Sequence, residues 1–438
     1  MLEAHVGCST EPDSYRAGRL IAKEALEGAS TKSKLAILAI DSLTRKKYDY
    51  GEVLKGVREE IGAEIPLIGS SVNGLIVNDR FALKSAGLLL LGGDFNVDAA
   101  FSFGKSRQKY QSIADEIVQI KKGLQPKPNQ LMFMFQDGMK FPPETMDRQK
   151  SLNSRMVALF SGMITRAFKN QFEEFAEKGM GMASTQELID RLYAQGWDIP
   201  IIGNLATNAR DYDNVEFFNE KVLQDAVLGV ILSGTNDTKF GYGFAAGAEP
   251  SGISCSITKN IGSFLLRING KSAVKGFCEA VGIEKESLVE LQNLGYINIY
   301  NILGTREKIG DKEYIHPVVT ITNPDLENLI VSGFPFDKVP EKAEIFRSSS
   351  QILLKSTKEG IMEAKKNIDD PKFIIGIDCA LRFTAFGDNL HKVVETYRET
   401  MGKDVTRFII GSGGEVFATR PNGFFFNNYT VVTFVGGK

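Results

Sequence analysis

Three stretches of the chain repeat one pattern of apolar and polar positions. Each opens with an apolar run that closes on an aspartate: KLAILAIDS at Asp41-Ser42, QLMFMFQDG at Asp137-Gly138 and KFIIGIDCA at Asp378-Cys379. Such runs read as buried strands leaving the core into a polar loop. An amphipathic helix follows. In the first copy Val53, Val57 and Ile61 recur at four-residue spacing, with Gly62 as the C-terminal cap. In the second, Ser184 and Glu187 stand at capping-box spacing before Leu188, Ile189, Leu192 and Tyr193, and Gly196 ends the helix. In the third, Asp388 is the expected cap of a stripe made by Leu390, Val393, Val394, Tyr397 and Met401, with Gly402 behind it. A second apolar run then ends in Ile-Gly, at Gly69, Gly203 and Gly411, before a loop of small polar residues. A further strand comes after each loop: KSAGLLLLGG, DAVLGVILSG and NNYTVVTFVGG.

The unit is therefore strand, Asp loop, helix, strand ending Ile-Gly, polar loop. If the two strands flanking the helix run parallel in one sheet, their carboxyl ends emerge at one edge. That places Asp41, Asp137 and Asp378 beside the loops after Gly69, Gly203 and Gly411, where parallel sheets bind ligands. Asp and Gly also serve simply as turn formers. The second copy is longer: Asp41 and Gly69 are 28 positions apart, Asp378 and Gly411 are 33, and Asp137 and Gly203 are 66. The excess, about 151–181, contains Met156, Leu159, Phe160, Met163, Ile164, Ala167 and Phe168 at helical spacing. It either covers a sheet face or offers a surface for a partner or a homodimer.

The expected fold class is α/β: two lobes, with central sheets covered by outer helices and built from repeated strand–helix–strand units. At 438 residues the chain exceeds what one core usually organises. The first lobe is placed at 1–239, holding two copies and the helical insertion, and the second at 240–438. Net charge is −2 and there is no Lys/Arg-rich run, which argues against nucleic acid or an acidic membrane surface as partner. The N-terminus lacks a secretory pattern, and no window approaches ~18 continuous apolar residues, so no membrane span is expected. Cys8, Cys255, Cys278 and Cys379 are widely spaced, which suits a reduced, cytoplasmic protein.

Catalytic motifs are mostly absent. Gly104-Lys105-Ser106 and Gly270-Lys271-Ser272 lack the upstream glycine of a phosphate-binding loop, which Ala99 and Leu265 replace, and both read as turns. GGDFN at Gly92 reads as a strand-ending turn, and Asn269-Gly270 as a hairpin turn. His5, His316 and His391 show no metal-binding spacing, and no metal or cofactor is implied. Cys379, at a strand end near Arg382, is the one candidate nucleophile, with His391 its only visible base. Binding chemistry is better supplied. GSSVNG and GSGGEV can turn successive backbone N–H groups toward an anion. Arg382 can grip a carboxylate, and Asp137, Asp378 and Glu415 can hold an ammonium group. Together these suit an amino acid or a related small carboxylate, held between the lobes.

In the order of its motifs the chain resembles the FIST sensory domain family (F-box and intracellular signal transduction proteins) over nearly its whole length. The similarity lies in VGCSTEPDSYRAGRLIAKEAL, IPLIGSSVNGLI, IPIIGNLATNARD, VLGVILSG and GYGFAAGAEPSGISCSITKNIGSFLLRINGKSAVKGF, then DCALRF, GGEVF and FFFNNYTVV. The resemblance implies a small-molecule sensor with amino acids as proposed ligands. Matching positions give Asp378, Cys379, Arg382, Gly414, Glu415 and Asn427 in the C-terminal part, and Gly69, Ser70, Gly203 and Asn204 in the N-terminal part. No kinase, cyclase, methyl-accepting or F-box segment is recognisable, so the output is expected to pass to a separate signalling protein in trans. Two other classes stay open at this point: an enzyme using Cys379, and a scaffold without ligand.

Overall fold

The first repeated stretch folds as the pattern indicates. Strand β2 (Ser33–Asp41) leads into helix α2 (Tyr50–Ile61) and then strand β3 (Leu67–Val72), which runs parallel to β2. Asp49 caps α2 by accepting the Glu52 N–H at 3.1 Å, and Gly62 ends it at φ 77°, a backbone region that favours glycine. In the computed structural model the described residues are 1–42, 48–138, 184–207, 214–261, 264–284, 300–309, 312–318, 320–322, 330–334, 339–419 and 425–438. The inserted helix expected at 156–168 lies outside them.

The full repeat is longer than the sequence pattern suggested. Each unit begins with an additional strand and helix: β1 (Glu3–Ser9) and α1 (Ser14–Leu26), then β7 (Asn96–Gly104) and α3 (Tyr110–Lys122), then β13 (Lys239–Ala246) and α6 (Ser350–Lys365). The second unit continues with β8 (Leu131–Gln136), α4 (Thr185–Ala194) and β9 (Ile201–Leu205). The third continues with β22 (Pro371–Cys379), the short α7 (Ala380–Phe386), α8 (Leu390–Met401) and β23 (Thr406–Ser412). Both pairs β8/β9 and β22/β23 are parallel. The strand that closes each unit, β6 (Ala86–Gly92), β12 (Ala226–Ser233) or β26 (Thr430–Gly437), returns antiparallel to the first of the pair.

Between the parallel pair and the closing strand each unit makes a hairpin, and that hairpin joins another unit's sheet. Hairpin β4 (Leu75–Val77)/β5 (Arg80–Ala82) pairs with β23 of the third unit. Hairpin β10 (Glu216–Phe218)/β11 (Lys221–Leu223) pairs with β3 of the first. Hairpin β24 (Glu415–Ala418)/β25 (Phe426–Asn427) pairs with β9 of the second. The result is three six-stranded sheets of matching order: β1-β6-β2-β3-β10-β11, β7-β12-β8-β9-β24-β25 and β13-β26-β22-β23-β4-β5. The exchange is cyclic, so the three units are related by an internal pseudo-threefold arrangement. Local conformation follows it: Lys84, Asp225 and Tyr429, just before each closing strand, all take left-handed φ, at 53°, 51° and 56°.

The three sheets turn their inner faces toward one shared core that includes Ile37, Leu89, Phe133, Leu228, Ile375 and Phe434. Their outer faces are covered by α1 and α2, by α3 and α4, and by α6, α7 and α8. Two glycines let α1 and α2 touch: a Cβ at Gly18 would lie 2.1 Å from the Val53 carbonyl oxygen, and one at Gly56 would lie 2.2 Å from that of Tyr15. An eight-stranded sheet with its own core, β14 (Glu249–Ile261) to β21 (Lys342–Arg347) with α5 (Ala273–Val281), is inserted between β13 and α6. Within it Asn269 and Gly270 form the expected turn, at φ 52° and 75°.

Three local expectations are corrected. Ser184 sits at the N-cap of α4, but its hydroxyl caps nothing; its backbone N–H donates to Tyr110 Oη at 2.8 Å, and Glu187 pairs with Arg191 instead. Asp388 lies in the 3₁₀ turn before α8, whose N-cap is Asn389, without a side-chain cap bond. The third correction is one of phase. Ile40, Gln136 and Asp378 pair with Ala86, Val227 and Val431, each two residues past the left-handed position. The structural counterpart of Asp41 and Asp137 is therefore Cys379, and Asp378 points to the opposite face of its sheet.

Candidate functional site

The polar loops after Gly69, Gly203 and Gly411 meet where the three sheets converge. Asn73 N–H donates to the Gly411 carbonyl at 2.9 Å, and Gly411 N–H donates to that of Gly74 at 2.9 Å. Thr207 N–H reaches the Ser71 carbonyl at 3.1 Å, and Leu205 and Gly414 are joined by a 2.9 Å backbone bond. Ser42 Oγ donates to the Thr207 carbonyl at 2.8 Å. The fit leaves no room for a Cβ at Gly411, which would lie 1.9 Å from the Asn73 carbonyl oxygen, nor at Gly203, 2.4 Å from that of Met134, nor at Gly69, 1.9 Å from that of Leu38. These glycines thus hold strands and loops in contact.

On the inner face of this junction a row of buried polar side chains crosses from unit to unit. Asn204 Nδ2 donates to Ser70 Oγ at 2.8 Å. Glu415 stands opposite Asn204 on one side and Asn427 on the other. Paired antiparallel positions share a face, so the three side chains lie together. His316, from β18 (Lys312–Pro317) of the inserted sheet, lies 2.8 Å from Asn427 Oδ1 through Nδ1 and 3.4 Å from Glu307 through Nε2. Glu415 is fully buried; one oxygen accepts from Thr430 Oγ at 2.8 Å, and Oε1 has no hydrogen-bond partner among the described residues. Burial pushes its carboxyl well above the usual range, against the Thr430 bonds and the charge of Arg382. Asn204 Oδ1 and Asn427 Nδ2 are likewise buried and without a hydrogen-bond partner among the described residues.

Beside Asn427 lies a narrow crevice of about 10 Å³, room for about one water molecule, between the body and the inserted sheet. Phe244, Phe417, Tyr314 and Phe425 wall it, with His316, Thr419 and Asn427 supplying polar atoms. Phe244 and Phe417 stack at 5.2 Å. Phe417 follows Glu415 by two residues on one strand and shares its face, while Glu415 itself does not line the crevice. Gly414 is required here: a Cβ on it would lie 2.1 Å from the Phe426 ring.

Asp378 and Arg382 form a separate cluster on the outer face of their sheet. The guanidinium donates through Nε to Asp378 at 2.5 Å, to Ser356 at 2.8 Å, to Thr357 at 2.7 Å and to the Leu353 carbonyl at 3.2 Å. Both residues are fully buried, and Arg382 clamps α6 to the end of β22. Burial raises the Asp378 carboxyl to about 6, against the pull of Arg382. Cys379 faces inward toward Glu415; burial and then that carboxyl push its thiol well above the usual range, which disfavours the thiolate. His391 is exposed on α8, its Nδ1 2.8 Å from the Asp388 carbonyl.

Asp137 belongs to a third cluster, most of which sequence reasoning missed. Its Oδ1 accepts from Asn214 Nδ2 at 3.1 Å, and its Oδ2 lies 3.2 Å from Arg107. Glu216, opposite Ser70, is fully buried nearby, and burial followed by the Asp137 charge drives its carboxyl well above the usual range. The available signal was the likeness of NVEFFN to GEVFAT, an acid before an aromatic in each hairpin. Among the described residues, no group of three or more His, Cys, Asp or Glu side chains is placed to hold a metal ion. No described helix is long and apolar enough to cross a membrane.

No curated protein matches the chain. Among solved structures it is similar to PurLQS from Thermotoga maritima, at 10% identity over 100% of this chain and 72% of that one, with a TM-score of 0.23. Phosphoribosylformylglycinamidine synthase II from the same organism follows at 9% identity, 100% and 72% coverage and the same TM-score of 0.23. Likenesses this slight carry no argument about fold or ligand. The FIST N domain is different: its family model matches residues 34–271, more than half of the chain, from β2 of the first unit through the second unit and into the inserted sheet. The chain belongs to the FIST family of sensory domains of signal transduction.

Proposed function

We propose that the protein senses a small zwitterion, an amino acid or a related carboxylate, at the Glu415–Asn427 pair, with the narrow crevice beside Asn427 widening to admit it. The observation that carries this reading is the Glu415–Asn427 pair. The two side chains face the same way, are buried, and each keeps one polar atom, Oε1 and Nδ2, without a hydrogen-bond partner among the described residues. Leaving such groups unmet costs about 1–3 kcal/mol each. A ligand ammonium would satisfy the carboxyl and a ligand carboxylate the amide N–H, with the aromatic walls excluding water.

Signalling would follow from where the crevice lies. Phe244 belongs to the body and Tyr314 and His316 to the inserted sheet, so ligand bridges both and favours one relative placement over others. The readout would pass to a separate protein in the cytoplasm. Arg382, Asp378, Ser70 and Asn204 then support the site from behind rather than touching ligand.

A panel of amino acids, followed by thermal shift and calorimetry, tests this. A specific ligand at 100 times its Kd adds about 2.7 kcal/mol of stability. Glu415→Gln and Asn427→Ala should each remove most of that gain. No response to any member, or a response that survives both substitutions, would overturn the proposal.

A further inference from the structure

The first strand of each unit, β1, β7 or β13, lies at an edge of its sheet. Such an edge presents unpaired N–H and C=O groups, which proteins usually cover. Cys8, Ser102 and Phe244 hold the same position on the three edges, opposite Gly87, Leu228 and Val432, each three residues past a left-handed position. Cys8 N–H donates to Glu24 of α1 at 2.9 Å, and Phe244 N–H to Glu363 of α6 at 3.1 Å. Thr406 Oγ1, at the start of β23, also donates to the Ala4 carbonyl of β1 at 2.7 Å. The β7 edge has neither kind of cover. Ser102 N–H makes no hydrogen bond among the described residues. Pro66 stands four residues before Ser70, as Thr406 stands four before Ile410, and it has no hydroxyl to donate.

The bonding side of each β7 residue is fixed. The Asp225 carbonyl accepts from Ser106 N–H at 2.9 Å and the Ala226 carbonyl from Asp137 N–H at 3.1 Å, so successive residues of β12 serve β7 and β8 in turn. Phe101 and Phe103 therefore bond β12, while Ala100 and Ser102 turn their N–H and C=O groups outward. A groove of about 750 Å³ runs beside this edge. Residues 97–100 of β7 line it, with Lys32, Lys34 and Pro66 of the first unit on one side and Gly123 to Gln125 and Lys127, behind α3, on the other. Its charge is unbalanced. Lys127 pairs with Asp98 at 2.6 Å. Lys32 and Lys34 have no acidic partner among the described residues, Lys34 reaching the Phe95 carbonyl at 2.8 Å, and Glu64 is the only other acid of the lining. We propose that this groove docks an extended, acidic peptide segment of a separate protein, added as a strand to the open edge of β7. Main-chain bonds to Ala100 and Ser102 would hold it, and its acidic side chains would meet Lys32 and Lys34. A second copy of the chain does not fit as well: it would bring its own groove walls, which keep two recessed edges from approaching to the ~4.8 Å of paired strands.

The inference does not depend on the Glu415–Asn427 reading. The test pans a phage-displayed library of short random peptides on the full-length protein and measures the enriched sequences, as synthetic peptides, by fluorescence anisotropy. Expected are sequences rich in Asp and Glu whose binding weakens at least tenfold in Lys32→Glu. Ala100→Pro should weaken it as much, because it removes an outward N–H and leaves the bonds to β12 in place. N-methylation of alternate peptide residues should abolish binding in one of the two registers and spare it in the other, since only one set of N–H groups faces β7. This last measurement needs no protein variant, so it decides the matter should Ala100→Pro fail to fold. No enrichment, enriched peptides without acidic residues, or binding that survives both Lys32→Glu and N-methylation in either register would overturn the proposal. So would a dimer of the free protein in sedimentation that Ala100→Pro dissociates, which would assign the edge to a second copy.

Discussion

Glu415 of β24 stands directly opposite Asn204 of β9, as Glu216 of β10 stands opposite Ser70 of β3. In both pairs the acid comes from one unit and its neighbour from another. The contacts that bury these carboxyls are thus the contacts that join the units. Any change in the charge of either acid acts on the junction of the sheets rather than on one element.

That coupling gives stability an unusual pH dependence. Burial raises Glu216 and Glu415 well above the usual carboxyl range, and Asp378 to about 6. Between the unfolded value, about 4, and the raised folded value, the folded chain holds a proton that the unfolded chain has lost. Stability is then fully present below about pH 4 as far as these groups are concerned. It falls as pH rises through the window, by about 1.4 kcal/mol per pH unit for each group still protonated. Denaturant titrations from pH 5 to 8 should show this decline, with a smaller slope in Glu415→Gln. A slope unchanged by that substitution would rule out Glu415 as a source.

Arg382 offers a contrast between binding and architecture. Its guanidinium serves Asp378, Ser356, Thr357 and the Leu353 carbonyl from a fully buried position. Removing it leaves an uncompensated carboxylate, so Arg382→Ala should cost about 3–5 kcal/mol of unfolding free energy. Urea denaturation decides the matter. A variant of wild-type stability would mean that the guanidinium does not hold α6 to β22.

Much of this frame was legible in the sequence. Val53, Val57 and Ile61, and Val393, Val394, Tyr397 and Met401, are buried as their spacing indicates, because one helix face has one period. Asp378 was placed one position out of phase. Both Asp378 and Cys379 close an apolar run, and a strand end read without its partner has no fixed parity. The exchange of hairpins was not readable. Strands of three residues, such as Leu75–Val77 and Glu216–Phe218, carry too little pattern to name their partner sheet. Of the sites, Ser70, Asn204, Glu415 and Asn427 come together, while Glu216 lies in a segment to which the repeat pattern gave no role.

The environment of Cys379 sets its reactivity. The thiol is 2% exposed and faces the Glu415 carboxyl, so it should stay protonated at neutral pH. Iodoacetamide labelling followed by peptide mapping should modify the half-buried Cys8 first. Cys379 should react only as fast as the structure opens, with a rate that rises with added urea. Rapid modification of Cys379 in the native protein would revive its candidacy as a nucleophile.

The cyclic exchange makes the last prediction. Sheets that own all their strands can be separated by cutting between units, but these cannot. Ending the chain at residue 239 removes β24 and β25 from the edge of β9, and takes β23 away from β4 and β5. Val416, Ala418, Phe425 and Phe426 leave the outer core of the second sheet, and Phe373, Ile375, Phe408 and Phe434 leave the shared inner core. Losing even one such aromatic side chain costs about 3–5 kcal/mol, comparable to the whole stability of many domains. Residues 1–239 expressed alone should therefore give a poorly dispersed amide spectrum and no cooperative thermal transition. The complementary piece, 240–438, added during refolding, should restore both. A cooperatively folded 1–239 fragment would show that the hairpins are not needed where they pair, and that the units are independent after all.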